Sequence, residues 1–324
     1  MIDSGDGWIW ALDGWIIVTG SLCAVASALL GNFLVLRRLS LLGDAISHAV
    51  LPGLAVAFLI TGSRQSVPMF LGAVIVGIVT AVLTEWIRGA GRVDEGASMG
   101  VVFTTLFALG LVLIVRAADR VDLDPGCVLY GAIEMTPLDT TPWMGVEIPR
   151  ATIMLGVVTL INAAFVAAFW KELTVSAFDP AFAASLGVDP RRTHYALMTL
   201  VAVTAVASFE SVGNILVVAM LVVPPATAYL LTDRLSVMVG LSVVLGIAAA
   251  IFGHLGALWI PAAFGRGSTS TAGMMATASG GFFLIAMLLA PRHGLLGRLW
   301  RHRLGGRRVA PRSRDDARQF PEDA

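Results

Sequence analysis

Long uncharged stretches alternate with short polar segments along most of the chain. A helix rises 1.5 Å per residue, so about 20 apolar residues cross the hydrocarbon core of a bilayer. The stretches do not alternate between polar and apolar residues, as the strands of a membrane barrel would. The pattern therefore predicts an all-α, polytopic membrane protein with eight or nine transmembrane helices. The stretches are 14–36, 45–63, 65–84, 96–115, 151–170, 193–209, 211–232, 235–255 and 270–290.

Two of these stretches are weaker than the others. Residues 45–63 contain Pro52 and Gly53, and a proline inside a helix removes a backbone hydrogen bond and kinks or breaks the helix. Residues 193–209 are short for a complete crossing. The choice between eight and nine helices depends on these two stretches.

Composition supports a membrane location. Of the 324 residues, 57% are hydrophobic and only 14% are charged, whereas roughly a quarter of the residues of a soluble domain are charged. The last 33 residues alone hold 13 of the 44 charged residues, which comprise 22 basic and 22 acidic ones. The remainder cannot cover a globule with polar surface, which excludes an ordinary soluble enzyme and a disordered protein.

The basic residues set the expected orientation, because Arg and Lys are enriched in cytoplasmic segments. With nine crossings and the N-terminus outside, 17 of the 22 basic residues fall inside the cell and 5 fall outside. We therefore expect the N-terminus outside and the C-terminus inside.

Three parts of the chain are expected on this basis. Residues 1–13 form an extracytoplasmic N-terminus, which lacks the basic residues that open a cleaved signal peptide. Residues 14–291 form the transmembrane domain. Residues 292–324 form an arginine-rich tail, expected to be disordered, cytoplasmic and suited to lying on anionic lipid.

Enzyme motifs are absent from the sequence. Its single lysine, Lys171, is followed by Glu172, whereas a phosphate-binding P-loop needs Gly-Lys-Ser/Thr. Two cysteines, Cys23 and Cys127, are too few for a disulfide framework or a thiolate metal cluster. The sequence itself therefore gives no argument for an enzyme, and any ATP hydrolysis is expected on a separate chain.

One acid and one imidazole stand out within the apolar stretches. Asp44 and His48 are four residues apart and share one face of a helix. Carboxylate and imidazole together suit Mn²⁺, Fe²⁺ or Zn²⁺. One pair is too few ligands for a held ion, but a two-fold dimer would present four.

The spacing leaves a second interpretation open, in which Asp44 caps the helix N-terminus and His48 lies at the headgroup level. The charge distribution also starts this helix near the inner surface, whereas a transport site is expected nearer the middle of the membrane. Two further histidines, His194 and His254, are expected to be an interfacial residue and a packed polar contact.

Four stretches of the sequence resemble the ABC-3 family of permeases, the membrane subunits of bacterial ABC importers for manganese, zinc and iron. The most specific stretch is 31–53, which includes Gly43-Asp44-Ala45-Ile46-Ser47-His48-Ala49. The others are 176–188, 208–220 and 223–235, and the resemblance covers roughly residues 15–291. It implies the ABC importer permease fold in the bacterial inner membrane.

The resemblance also implies partners and roles. It implies a second permease copy or a paralogue, a cytoplasmic ABC ATPase and an extracytoplasmic metal-binding protein, all assembled at the lipid bilayer. No nucleic-acid partner and no permanently bound cofactor are expected, because the divalent metal is cargo. Asp44 and His48 would be metal ligands on the translocation path. The segment 224–235 would be the ATPase coupling loop, with 178–192 near it; its predicted coupling residues are Pro224, Pro225, Thr232, Asp233 and Arg234.

The outer surface matches the family less well. The segment 122–134, with Tyr130-Gly131, would face the metal-binding protein. Ser268–Gly273 stands where the family usually has Pro-Thr-Gly, and Leu138–Arg150 has no counterpart.

The sequence thus predicts a permease subunit of an ATP-driven importer for Mn, Zn or Fe, working by alternating access at a dimer interface. Three alternatives stay open: an ABC permease for a metal chelate such as a siderophore or cobalamin, a secondary metal transporter, and a membrane scaffold. A chelate needs a wide apolar path, and a secondary transporter needs further intramembrane acids.

Overall fold

The computed structural model describes residues 10–62, 66–118, 133–143, 146–265 and 269–290. The N-terminal residues 1–9, the Tyr130-Gly131 pair and the tail 292–324 lie outside the described residues. The helices are α1 Trp10–Leu36, α2 Leu42–Ala49, α3 Leu51–Thr61, α4 Ser66–Gly91, α5 Glu95–Ala118, α6 Arg150–Ala168, α7 Trp170–Phe178, α8 Pro180–Ser185, α9 Pro190–Val212, α10 Asn214–Leu231, α11 Leu235–Ala263 and α12 Thr271–Leu289.

Nine helical segments among the described residues are long and apolar enough to cross a membrane. Eight are single helices, and the ninth is the span Leu42–Thr61 made by α2 and α3. Both weak stretches are therefore crossings, and the one predicted at 193–209 extends to the full length of α9. The all-α polytopic prediction is confirmed.

The segment between α5 and α6 holds the only strands among the described residues. It contains a 3-10 helix, Ile133–Leu138, and an antiparallel pair of strands, β1 Thr140–Trp143 and β2 Val146–Pro149. This hairpin occupies the part of the sequence, Leu138–Arg150, that matched no family pattern.

Helix α1 is the centre of the bundle. It packs against α6, α9, α10 and α11, and Leu30, Phe33 and Leu34 on it are fully buried. Burial against other helices gains little in lipid, where packing and interhelical hydrogen bonds drive association. Such bonds tie α1 to two neighbours: Thr19 to Thr152 of α6, Ala26 to Asn162 of α6, and Asn32 to Ser242 of α11. Asn162 also bonds Thr204 and so ties α6 to α9.

Helices α2, α3, α4 and α5 form a second packed group, which joins the first chiefly where α4 meets α9. Its closest contact is between two glycines: a Cβ added to Gly53 of α3 would collide with the carbonyl of Gly72 of α4, and the converse also holds. Gly110 of α5 similarly leaves room for Leu51 and Pro52, where a Cβ would lie 2.7 Å from Leu51 Cβ. Small residues thus let three backbones approach around the α2–α3 junction.

The ends of the spans divide by charge. Arg37, Arg88, Arg191 and Arg234 lie at one end of the bundle, which we call the basic face. Asp13, Glu134, Asp139 and Glu147 lie at the other end, which we call the acidic face. Successive spans cross in opposite directions, so the segments that connect them fall alternately at the two ends of the bundle. This is the division that the arginines along the sequence predicted.

The glycine contact between α3 and α4 gives a test of the packing. Gly72→Val forces a methyl group into the backbone of Gly53, and overpacking of this kind costs about 1–3 kcal/mol or more. Gly240→Val is the matched control, because an added Cβ at Gly240 of α11 meets no atom within 4 Å. We expect a lower midpoint of thermal unfolding for the Gly72 variant only, measured on purified protein. Equal midpoints for the two variants would contradict the close approach.

Candidate functional site

Helix α2 begins after a tight turn that follows α1. Arg38 has a left-handed backbone, with φ of 61°, and the amide of Leu39 donates to the carbonyl of Leu34 across 2.8 Å. Leu39 and Leu42 are both buried. The chain therefore turns back into the bundle as soon as α1 ends.

Asp44 does not cap this helix. The N-cap residue is Leu41, which makes no side-chain capping bond. The Asp44 carboxylate instead faces the imidazole of His48, with 3.6 Å between Oδ1 and Nε2. The helical spacing has brought the two side chains together, as predicted, and their role as ligands remains a prediction.

The two polar groups are unusually accessible for a transmembrane span. In the single chain 48% of the Asp44 side chain and 37% of the His48 side chain are exposed, whereas their neighbours Ala45, Ile46 and Ser47 are buried. An aspartate exposed to hydrocarbon near mid-membrane costs about 2.5–3.5 kcal/mol. This face therefore requires a covering that the single chain does not supply.

Two aromatic rings of α5 flank the imidazole. The centroids of Phe103 and Phe107 each lie 6.0 Å from that of His48, Phe103 tilted and Phe107 edge-on. The rings provide an apolar wall on one side of the pair. The open side carries the polar groups Oδ1 and Nε2 without other hydrogen-bond partners from the described residues.

The pair lies near the middle of the bundle and not at the basic face. Ile46, which lies between the two candidate ligands in sequence, packs beside Gly77 of α4 and Ala202 of α9. A Cβ added to Gly77 would lie 3.4 Å from Ile46 and 3.4 Å from Ala202. Gly77 and Ala202 are near the midpoints of α4 and α9, roughly 18–21 Å from the basic ends of those helices. The expected position near the inner surface is thus replaced by one suited to a transport site.

The chain supplies only part of a coordination shell. Among the described residues no group of three or more His, Cys, Asp or Glu side chains could hold a metal ion. Two ligand atoms 3.6 Å apart subtend roughly 110–130° at an ion bound at about 2.0–2.2 Å from each. The pair fits two corners of a tetrahedral site.

The predicted coupling residues fall in two environments. Pro224 and Pro225 are buried inside α10, where neighbouring helices compensate for the lost backbone bonds. Thr232 is half-buried, and Asp233 and Arg234 are exposed in the short turn from α10 to α11 on the basic face. The structure therefore separates the prolines from the accessible part of the segment.

A short helix on the same face and the residues that flank it carry exposed apolar side chains. Asp179 caps α8 by accepting a hydrogen bond from the amide of Phe182 at 2.9 Å. Phe178 at the end of α7, Phe182 of α8 and Leu186 directly after α8 are all exposed. Apolar side chains in this arrangement are typical of a protein-docking surface.

Sequence reasoning missed a charged cluster at the basic face. His194 Nε2 lies 3.2 Å from Glu85 Oε2, and Arg88 lies 3.1 Å from the other oxygen of Glu85. Arg37 donates to Ser176 at 2.7 Å and lies 3.4 Å from His194 Nδ1. Burial lowers the pKa of Arg37, yet a guanidinium remains charged at neutral pH. Apart from Glu85 and Arg88, which are three residues apart on α4, the partners are too distant in sequence for any local pattern to reveal them.

His254 is a packed polar contact, as expected, with a partner that the sequence did not indicate. Its Nε2 lies 3.0 Å from Asp13 Oδ1 of α1, and its Nδ1 lies 3.4 Å from the hydroxyl of Thr271. The Thr271 amide in turn donates to Glu134. This buried network ties α1, α11, α12 and the 3-10 helix together near the acidic face.

Comparisons with known proteins agree over nearly the whole described bundle. Residues 14–290 match the model of the ABC 3 transport family. The manganese transport system membrane protein MntD of Bacillus subtilis is 42% identical over 287 residues, which cover 88% of this chain and 95% of MntD. The zinc transport system membrane protein TroD of Treponema pallidum is 39% identical, over 87% of this chain and 75% of TroD.

A solved structure gives the same result. PsaBC from Streptococcus pneumoniae, in complex with a Fab, superposes with a TM-score of 0.69 at 29% sequence identity. The match covers 88% of this chain and 94% of the other.

Proposed function

Because this chain belongs to the ABC 3 transport family, we propose that Asp44 and His48 bind a transported divalent transition metal at an interface between two permeases. The chain is a multi-pass permease subunit of a metal transport system and not an enzyme. Manganese and zinc are the first candidates for the cargo, since relatives carry their names, and iron suits the same ligands.

The observation that carries this proposal is the exposed acid–imidazole pair at mid-depth. A water-filled path or a partner chain must cover Asp44 and His48, because lipid would not. A second permease copy related by two-fold symmetry adds the same two ligands. Four ligands complete a tetrahedral shell or leave positions for water in an octahedral one.

Helix α5 offers the surface for such a pairing. Gly100, Thr104 and Ala108 follow one another at four-residue spacing on this helix, and Thr104 and Ala108 are exposed. A row of small residues lets two transmembrane helices approach closely. The row lies on the helix whose Phe103 and Phe107 flank His48. Close packing of two copies of α5 along this row would therefore bring the Asp44–His48 pairs of the two chains together.

The same geometry favours a bare ion over a chelate. A chelate keeps its metal coordinated and needs a wide apolar path, whereas this site presents a carboxylate and an imidazole 3.6 Å apart. A secondary transporter would need a proton relay or further acids beside the pair. No described third ligand lies with Asp44 and His48.

Energy is supplied by a separate ATPase on the basic face. The exposed apolar side chains of Phe178, Phe182 and Leu186 in and around α8, with the turn at Asp233 and Arg234, form the docking surface for it. Closure of two ATPases would move these segments and change which end of the dimer interface is open, which is alternating access. The metal-binding protein would deliver the ion at the acidic face, where Met135 and Leu138 of the 3-10 helix are exposed.

The ligand assignment is tested by metal uptake. Asp44→Asn and His48→Gln keep side-chain size but remove charge or a ligand atom. We expect manganese or zinc uptake to fall about tenfold or more, since even loss of a group that only orients a ligand costs 10–100-fold. Cells lacking their own importers would carry the whole transporter, and Asp94→Asn, an exposed acid on the basic face, is the control. Undiminished uptake in well-expressed variants would contradict the assignment of Asp44 and His48 as metal ligands.

The pairing surface is tested by cross-linking in membranes. Thr104→Cys is expected to give a disulfide-linked dimer on mild oxidation, because two copies of α5 would meet there. Leu160→Cys on α6, which is also exposed, is the matched control and should remain monomeric. The dimer is read on a non-reducing gel. Equal cross-linking at both positions would point to random collision, and none at Thr104 would remove α5 from the interface.

The docking surface is tested by co-purification of the ATPase. Phe182→Ala and Arg234→Glu should each weaken recovery of the ATPase several-fold while leaving metal binding to the permease unchanged. Arg92→Glu reverses another exposed charge on the basic face and should have little effect. A loss of ATPase recovery with Arg92→Glu equal to that with Arg234→Glu would show a general charge effect in place of a specific surface.

A further inference from the structure

A cavity of about 690 Å³ opens on the basic face, away from the proposed ion path. Its walls come from α1 and the turn after it, α4, α7, the first residue of α8, and α9. The volume lies within the range of small-molecule sites. Its charged lining comprises four arginines, one histidine and one carboxylate: Arg37, Arg38, Arg88, Arg191, His194 and Glu85.

Most of the positive charge in this cavity is uncompensated. The single carboxylate, Glu85, is already engaged by His194 and Arg88. Within the described part of the chain, Arg37, Arg38 and Arg191 have no ion pair with a carboxylate. The buried Nε of Arg37 also has no hydrogen-bond partner there. The cavity therefore presents guanidinium groups that can donate several hydrogen bonds to an anion.

The cavity is continuous with an apolar stripe on α4. Trp86 lines the cavity and is 65% exposed. Ile75, Val79 and Val82 are exposed at spacings of four, three and four residues leading to it, which places all four on one helix face. Tyr195, also at the cavity, is partly exposed. Tryptophan and tyrosine at the end of a span are typical of the headgroup level.

We propose that this cavity binds the phosphate of an anionic phospholipid, with an acyl chain lying along the α4 stripe. Arginine is suited to phosphate because its planar fork donates two parallel hydrogen bonds. Basic pockets between helices on the cytoplasmic side are suited to anionic headgroups. The stripe favours a lipid over free phosphate, which has no apolar part to place there. The site does not depend on the metal or on its ligands.

The test measures lipid bound to the purified full-length chain by native mass spectrometry. The probes are phosphatidylglycerol and phosphatidylcholine with identical acyl chains. The double variant Arg38→Gln/Arg191→Gln removes two exposed arginines from the cavity. Each arginine near an anionic surface contributes about fivefold to affinity, so the dissociation constant for phosphatidylglycerol should rise roughly 25-fold. Arg92→Gln/Lys171→Gln removes two exposed basic residues of the same face that do not line the cavity and should leave this dissociation constant unchanged.

Three results would overturn the proposal. Equal phosphatidylglycerol binding by the wild type and the cavity variant would show that Arg38 and Arg191 do not bind lipid. Equal binding of the two lipids, together with saturable binding of inorganic phosphate, would show that the ligand of the cavity is soluble phosphate and not a lipid. Displacement of the lipid by the ATPase chain, with weaker ATPase assembly in the cavity variant, would identify acidic side chains of that partner as the occupant.

Discussion

A polar group within a bilayer must find its partner inside the protein, and this requirement organises the bundle. Asn32, Thr19 and Asn162 are bonded across helices and hold α1 at the centre. His254 is bonded to Asp13 in the same way near the acidic face. Since water is not available in hydrocarbon, such pairs specify which helices adjoin. Asp44 and His48 differ from these pairs, because their exposed sides require something beyond the single chain.

The same requirement connects packing to function. Close backbone contact between Gly53 and Gly72 fixes α3 on α4, and the turn after α1 returns the chain into the bundle before α2 begins. Together these contacts hold Asp44 and His48 at mid-depth on a face where α5 carries small residues. The position of the Asp44–His48 pair thus depends on the packing of α2–α5. The basic face lies at the ends of the spans, where water can hydrogen-bond polar groups, and it can therefore carry exposed polar segments.

Hydropathy and charge predicted the crossings well, since span length and loop charge are one-dimensional properties of the sequence. They could not predict the vertical offset of Asp44, because that depends on how early the turn at Leu39 re-enters the bundle. Glu85 and His194 are 109 residues apart, and Asp13 and His254 are 241 apart, so no local pattern links them. The buried position of Pro224 and Pro225 could also not be predicted from the sequence, since prolines are typical both of loops and of membrane helices.

The proposed division of the ion site into halves has a consequence for selectivity. In the proposed dimer each chain would contribute one carboxylate and one imidazole, so the complete coordination shell would be a property of the two chains together. A cell that paired this chain with a paralogue differing at one of those positions would obtain a new ligand combination without altering this gene. Metal preference could then follow which subunits are expressed together, and evolution could explore it combinatorially.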